Sequence, residues 1–292
     1  MYVLLRQLII YTILSHPSFS LAWGQSGSLT SGPEEIIQKL EDAGVFQVPD
    51  VEFTSAYDGY RTYANLQGLF FDALPYQGDS TKVFCWYGFP EHVQEGSKVP
   101  AVVLVHGGGG SVFPDWVKKW TDRGYAAISI ALEGQVAGVR DIDNKWPTHD
   151  YAGPARTAFF SDLQTKHTED VWFYHAMADV ILAHSLIRSF ESIDTMRIGI
   201  TGISWGGILT SAIAGIDDRF SFAIPLYGCG QLQDSPLYTR QMEGLTEEGQ
   251  NEYLRSWDPN NYILRISMPT LYVNGTNDCH FTMNCFTSSY QA

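Results

Sequence analysis

From residue 99 onward, continuous apolar runs alternate with segments of helical periodicity, and this alternation constrains the fold more than any other feature of the chain. A short apolar run without polar residues at alternate positions is typical of a strand that is buried on both faces. The predicted elements are strands at 99–105, 125–130, 196–201, 220–226 and 268–273, with helices at 113–123, 168–189 and 206–215. We therefore predict an α/β fold, a mostly parallel sheet with helices on both faces.

The residues before this alternation predict a helix over 33–46 and antiparallel strands around 70–71 and 83–87. Two longer segments, 133–167 and 229–266, interrupt the alternation. Long irregular segments in compact domains are usually functional or mobile. We interpret both as the rim of a pocket, with surface decoration as the alternative.

The first residues, 1–24, have the layout of a signal peptide, because the apolar run 8–14 is followed by small residues that suit cleavage before Gln25. This run is shorter than the roughly 20 residues that cross a bilayer. A buried amino-terminal helix is the alternative, but residues 25–32 have the Ser and Gly content of a linker. We expect a secreted protein without stable membrane insertion, whose single α/β domain spans 33–292.

Charge and cysteine content bear on the partners of the chain. Asp and Glu total 32 against 18 Lys and Arg, which gives a net charge of −14. Basic residues are nowhere concentrated, so a nucleic-acid partner is not expected.

Cys279 and Cys285 are close enough in the sequence for a small disulfide loop, and buried free thiols are the alternative. The cysteine spacing matches no zinc site. We expect no metal and no cofactor, and the oligomeric state stays open.

The six residues from Gly202 to Gly207, Gly-Ile-Ser-Trp-Gly-Gly, form a G-x-S-x-G turn between a predicted strand and a predicted helix. The chain reverses so sharply in such a turn that a side chain at Gly202 or Gly206 would collide with its neighbours. Ser204 is then left projecting at the carboxyl end of the strand. It is the candidate nucleophile.

A glycine run from His106 to Gly110 ends the first predicted parallel strand. The backbone N–H groups of Gly107 and Gly108 can face a developing oxyanion there, together with the N–H of Trp205. His106 precedes the nucleophile along the chain, and we predict that it shapes the turn rather than accepting a proton.

Asp278 follows the last predicted strand in the run Gly275-Thr276-Asn277-Asp278. A carboxylate at this edge of the sheet can orient an imidazole and stabilise its protonated form. An ordinary turn-forming aspartate is the alternative.

These three motifs together resemble the α/β-hydrolase superfamily. They are most similar to the branch of acetylxylan esterases, dienelactone hydrolases and prolyl-oligopeptidase catalytic domains. The resemblance covers roughly residues 82–292. It implies Ser204 as the nucleophile, Asp278 as the acid and the three backbone donors named above as the oxyanion hole, in acyl transfer to water.

The superfamily places its catalytic histidine after the acid, on a loop between a last strand and a last helix. Here fourteen residues follow Asp278, and His280 is their single histidine. An imidazole two residues from its orienting carboxylate needs unusual backbone geometry to reach Ser204. His280 is therefore a weak candidate base, with a structural or pocket-wall role as the alternative. We expect a chain truncated before the last strand, the histidine loop and the last helix, with uncertain activity.

The leading hypothesis is a secreted serine hydrolase that acts on carboxylic esters, such as acetyl or other short acyl groups on a carbohydrate or small molecule. The aromatic content of 14% suits either a dense core or a pocket for a sugar-like ligand. A serine peptidase of the prolyl-oligopeptidase type is the second hypothesis. An inactive binding protein on a hydrolase fold, or a truncated isoform, is the third.

Overall fold

A computed structural model describes residues 32–94 and 96–291, so the predicted signal peptide 1–24 and all but the last residue of the predicted linker 25–32 lie outside the described residues. The strands are β1 (Val51–Thr54), β2 (Leu66–Tyr76), β3 (Asp79–Gly88), β4 (Val99–Val105), β5 (Ala126–Ile130), β6 (Ile193–Ile203) and β7 (Phe222–Leu226). The helices are α1 (Pro33–Asp42), α2 (Pro114–Thr121), α3 (Phe159–Asp162), α4 (Trp172–Ser189), α5 (Trp205–Ala214), α6 (Thr239–Glu243), α7 (Glu247–Glu252), α8 (Asn260–Ile263) and α9 (Met283–Tyr290).

Within the described residues the seven strands form one sheet in the order β1-β2-β3-β5-β4-β6-β7. The first three strands and the β3–β5 pair are antiparallel, while β5, β4, β6 and β7 run parallel. The predicted antiparallel entry and parallel second half are both present. Because parallel strands end at the same edge, the turns after β4 and β6 meet there.

Helices cover both faces of the sheet, as predicted. Successive side chains of β4 point to opposite faces, so Val103 joins the apolar cluster under α4 and α5, whereas Val102 and Leu104 join the cluster with Val117 of α2. α4 is buried from Trp172 to Ile187 because it is apolar on nearly all sides. It contacts four strands and α5.

The segment predicted as a last strand, 268–273, is extended but forms no regular ladder. It runs parallel to β7 through isolated bridges, and the Val273 N–H donates to the Pro225 carbonyl at 3.0 Å. Pro225 of β7 and Pro269 of the extended segment have no N–H to donate. The ladder of hydrogen bonds is therefore interrupted on both sides.

No helix in residues 32–94 and 96–291 is both long enough and apolar enough to cross a membrane.

Candidate active site

Ser204 stands between the end of β6 and the start of α5 in a strained backbone conformation, with φ 57° and ψ −117°. A residue with a side chain held at positive φ costs about 1–3 kcal/mol, so its surroundings must fix it. The Ser204 N–H donates to the carbonyl of Leu226 at the end of β7, at 3.0 Å. The turn therefore holds Ser204 at the carboxyl edge of the sheet.

The glycines of this turn are required for steric reasons. A Cβ atom built on Gly202 would lie under 3.0 Å from the carbonyl oxygen of Gly206, and one built on Gly206 would lie equally close to that of Val105. Two backbone segments thus approach each other where only hydrogen fits. This confirms the collision expected from the sequence.

The structure brings the predicted oxyanion-hole residues together around Ser204. A Cβ built on Gly107 would lie 3.1 Å from Ser204 Cβ, and one built on Gly108 would lie 2.8 Å from Trp205 Cδ1. Trp205 is the first residue of α5, where the N–H has no acceptor within the helix and the helix dipole favours negative charge. The turn after β4 and the first turn of α5 therefore border one small volume.

His106 shapes the turn after β4, as predicted. Its side chain is fully buried, its Nε2 accepts the Leu132 N–H at 3.1 Å, and its Nδ1 donates to the Gly107 carbonyl at 2.7 Å. Burial lowers the pKa of His106, which favours the neutral ring, and the two hydrogen-bond partners place its proton on Nδ1. Both ring nitrogens are occupied, so neither is free to take a proton from Ser204.

A cavity of about 620 Å³ opens above Ser204. Its walls come largely from the two segments that interrupt the alternation, with Arg156 and Phe160 from the first and Tyr238 and Arg240 from the second. Both segments form the rim of a pocket, as interpreted from the sequence.

A cluster of aromatic rings borders this cavity. The Trp205 ring packs edge-on against Trp172, Phe159 and Tyr238, with ring centroids 5.4, 5.7 and 5.7 Å apart. Edge-to-face aromatic pairs at these distances contribute about 0.5–1.5 kcal/mol beyond the burial of area. The two roles considered for the aromatic residues therefore coincide, since one cluster is both core and cavity floor.

His280 lines the same cavity as Ser204, whereas Asp278 does not. The Asp278 Oδ1 accepts the backbone N–H groups of His280 and Phe281, at 2.7 and 2.9 Å, and the Ser235 hydroxyl donates to the His280 carbonyl. Asp278 thus fixes the backbone of the turn that carries His280. Within the described residues no hydrogen bond joins Ser204 to an imidazole.

Sequence reasoning missed the two arginines of the cavity. Arg156 Nε donates to Glu133 Oε1 at 3.0 Å, and a Cβ on Gly108 would lie 2.8 Å from Arg156 Cζ. Arg240 lies on α6 and is exposed. Their position within segments already interpreted as a pocket rim was the signal that could have identified them.

The cysteines are free thiols in this structure, so the small disulfide loop between Cys279 and Cys285 is not formed; Cys279 is exposed and Cys285 is buried. Cys285 instead contacts Cys229, which lies on the segment after β7. The hydrogen bond between these two thiols lowers the pKa of Cys285.

In the described part of the chain, no group of three or more His, Cys, Asp or Glu residues is placed to hold a metal ion.

Comparison with known proteins places this geometry in context. The family model for acetyl xylan esterase (AXE1) matches residues 49–269. The structure is similar to an acetyl xylan esterase from Paenibacillus sp. R4, with a TM-score of 0.66 and 21% identity over 89% of this chain and 85% of that one. It is also similar to the Pyrococcus horikoshii acylaminoacyl peptidase, with a TM-score of 0.57 and 20% identity over 81% of this chain and 37% of that one. These likenesses confirm the α/β-hydrolase fold.

A curated relative, a probable dipeptidyl-peptidase 5 from Aspergillus terreus, is 23% identical over 219 residues. The match covers 70% of this chain and 27% of the relative. The chain therefore spans about a quarter of the length of that peptidase.

Proposed function

Because this chain belongs to the acetyl xylan esterase (AXE1) family, we propose that it is a serine hydrolase that removes acetyl or other short acyl groups from a carbohydrate or small-molecule ester. One observation carries the proposal. Ser204 occupies the strained turn at the carboxyl edge of the sheet and faces a cavity of about 620 Å³. Backbone strain of this kind clusters at active sites and ligand-binding sites.

In the proposed reaction, Ser204 Oγ attacks the ester carbonyl and the carbonyl oxygen gains negative charge. The backbone N–H groups of Trp205 and of Gly107 or Gly108 stabilise this oxyanion. Collapse of the tetrahedral intermediate breaks the ester C–O bond, and the alcohol leaves with the proton that the base took from Ser204 Oγ. Water then hydrolyses the acyl group left on Ser204, which releases the carboxylic acid and restores the hydroxyl. Removing one such donor typically slows an enzyme by about 10²–10³-fold.

His280 is the candidate base, because it is the described cavity residue with an imidazole. Asp278 acts by fixing the turn that carries it. If His280 accepts the proton, His280→Gln lowers kcat by about 10²–10⁴-fold. An unchanged kcat in this variant would exclude His280 as the base and leave it a role in the cavity wall.

Hydrolysis of 4-nitrophenyl acetate by the full chain tests the proposal. Ser204→Ala is expected to lower kcat by at least about 10³-fold, whereas Ser97→Ala, at an exposed serine away from the cavity, leaves it unchanged. Hydrolysis by the Ser204→Ala variant at the parental rate would refute the proposal.

The likeness to the Aspergillus terreus dipeptidyl-peptidase 5 supports a second candidate, a serine peptidase. Comparing turnover of the acetyl ester with that of a proline anilide separates the two. We expect faster ester turnover, and faster anilide turnover would favour the peptidase.

We further propose that the protein is secreted. The support is the signal-peptide layout of residues 1–24, and detection of the processed chain in the culture medium of expressing cells tests it.

A further inference from the structure

The charge of the cavity is opposite to that of the chain. Arg156, Arg240 and His280 line the cavity, and no Asp or Glu of the described residues does. The chain as a whole carries a net charge of −14. Clefts lined by one sign of charge raise the local concentration of oppositely charged ligands, whatever the net charge of the protein.

Arg156 lines the cavity beside Gly108 and Trp205. Its guanidinium carbon and the Trp205 ring would both lie 2.8 Å from a Cβ on Gly108, so the cation borders the proposed oxyanion hole. The ion pair between its Nε and Glu133 orients the guanidinium and offsets part of its charge, while within the described part of the chain both Nη groups have no protein acceptor. Glu133 itself does not line the cavity.

The positive charge of Arg156 affects the pKa of Tyr238, another residue that lines the cavity. Burial raises the pKa of the Tyr238 hydroxyl to about 12, and the positive charge of Arg156 opposes that rise. Tyr238 lies on the second of the two segments that line the cavity.

Arg240 supplies a second cation at the rim. It lies on α6, its side chain is exposed, and within the described residues it forms no ion pair. Arginine presents a planar fork of N–H groups that matches a carboxylate, which a lysine does not.

We propose that this cavity selects esters that carry a carboxylate, which Arg156 and Arg240 bind while Ser204 attacks the ester. The inference rests on the proposed esterase function. The carboxylate has two possible sources, the acyl side, as in a half-ester of a dicarboxylic acid, or the alcohol side, as in an acetylated hexuronic acid.

Matched pairs of substrates test the proposal. The 4-nitrophenyl monoester of succinate is compared with its methyl-capped neutral form, and an acetylated hexuronic acid with the corresponding acetylated hexose. In at least one pair, kcat/KM is expected to be about tenfold higher for the charged member, and added salt reduces the difference. Preference in the first pair assigns the acyl side, and preference in the second assigns the alcohol side.

Variants locate the effect. Arg240→Gln changes an exposed residue and is expected to reduce the charged-to-neutral ratio of kcat/KM about tenfold. Arg156→Lys keeps the charge but loses the fork, and is expected to reduce the ratio as well. Arg197→Gln removes the same charge at an exposed position away from the cavity and leaves the ratio unchanged. An equal effect of Arg197→Gln, or equal turnover within both pairs, would overturn the proposal.

Binding gives a readout that does not need turnover. Isothermal titration with glutarate and with its uncharged dimethyl ester is expected to show binding of the dianion alone, weakened about tenfold by Arg240→Gln. Absence of glutarate binding would contradict the carboxylate site. A chain that binds glutarate but hydrolyses no ester would contradict the proposed function instead.

Discussion

At the scale of single residues, the candidate site depends on positions where the side chain is either absent or buried. Ser204 keeps a positive φ because glycine neighbours let three backbone segments meet around it. The small residues of the turn were therefore readable from the sequence. Arg156 was not, because its contact with Gly108 joins segments far apart in the chain and no local pattern encodes it.

The turn glycines make a direct stability prediction. Gly206→Ala is expected to destabilise the protein by at least about 2 kcal/mol, since the added methyl group overlaps the Val105 carbonyl. Gly59→Ala is the matched control, because a Cβ there meets nothing within 4 Å, and it should change stability by less than about 0.5 kcal/mol. Denaturant unfolding measures both, and equal effects would show that the close approach is absent.

A second prediction concerns Asp179, which lies on α4 and is buried with its Oδ1 unpaired among the described residues. Burial raises its pKa well above the ordinary value of 3.8. At pH values above 3.8, the Asp179 carboxyl of the unfolded chain releases its proton, whereas the folded protein keeps it. The stability contributed by the protonated form is therefore complete at low pH and is lost as pH rises.

Asp179→Asn stays neutral at every pH. It is expected to raise Tm at about pH 8 and to have little effect at about pH 4. Asp143→Asn, the same change on an exposed loop, should alter Tm equally little at both. A gain for Asp179→Asn that is independent of pH would show that the carboxyl is not shifted.

At the scale of elements, the sequence predicted regular strands and helices well and irregular segments poorly. β4 occupies the predicted residues 99–105. An unbroken apolar run of this length is typical of a strand in a sheet that is covered on both faces. The segment 229–266 was predicted as an insertion before the last strand, and no helix was predicted within it, whereas it carries α6, α7 and α8. Helices this short are stabilised by tertiary contacts rather than by intrinsic propensity, so they cannot be predicted from the local sequence.

The packing of α9 predicts which cysteine reacts. Cys279 is exposed on the turn before α9, whereas Cys85, Cys229 and Cys285 are fully buried. Iodoacetamide is expected to modify Cys279 in the native protein and the other three after unfolding, because access as well as thiolate content governs the reaction. Mass spectrometry of tryptic peptides measures this. Rapid native labelling of Cys285, whose pKa is lowered by Cys229, would show that α9 detaches.

At the scale of the whole molecule, the order of strands in the sheet brings the residues of the candidate active site together. β4 and β6 are neighbours at the centre of the parallel half, so the turns that follow them deliver Gly108 and Ser204 to one edge. The fold class followed from the alternation of elements, and the family match to residues 49–269 agrees with it. Net charge did not foretell the cavity, because the acidic residues lie elsewhere on the molecule.

The central claim is that Ser204 is an activated nucleophile in this cavity, and covalent labelling tests it most directly. A fluorophosphonate probe reacts with an activated serine. We predict one phosphonyl group per chain, located on Ser204 by mass spectrometry and absent from the Ser204→Ala variant. Absence of labelling in the folded 292-residue chain, or labelling of the neighbouring cavity residue Ser161 instead, would contradict the account.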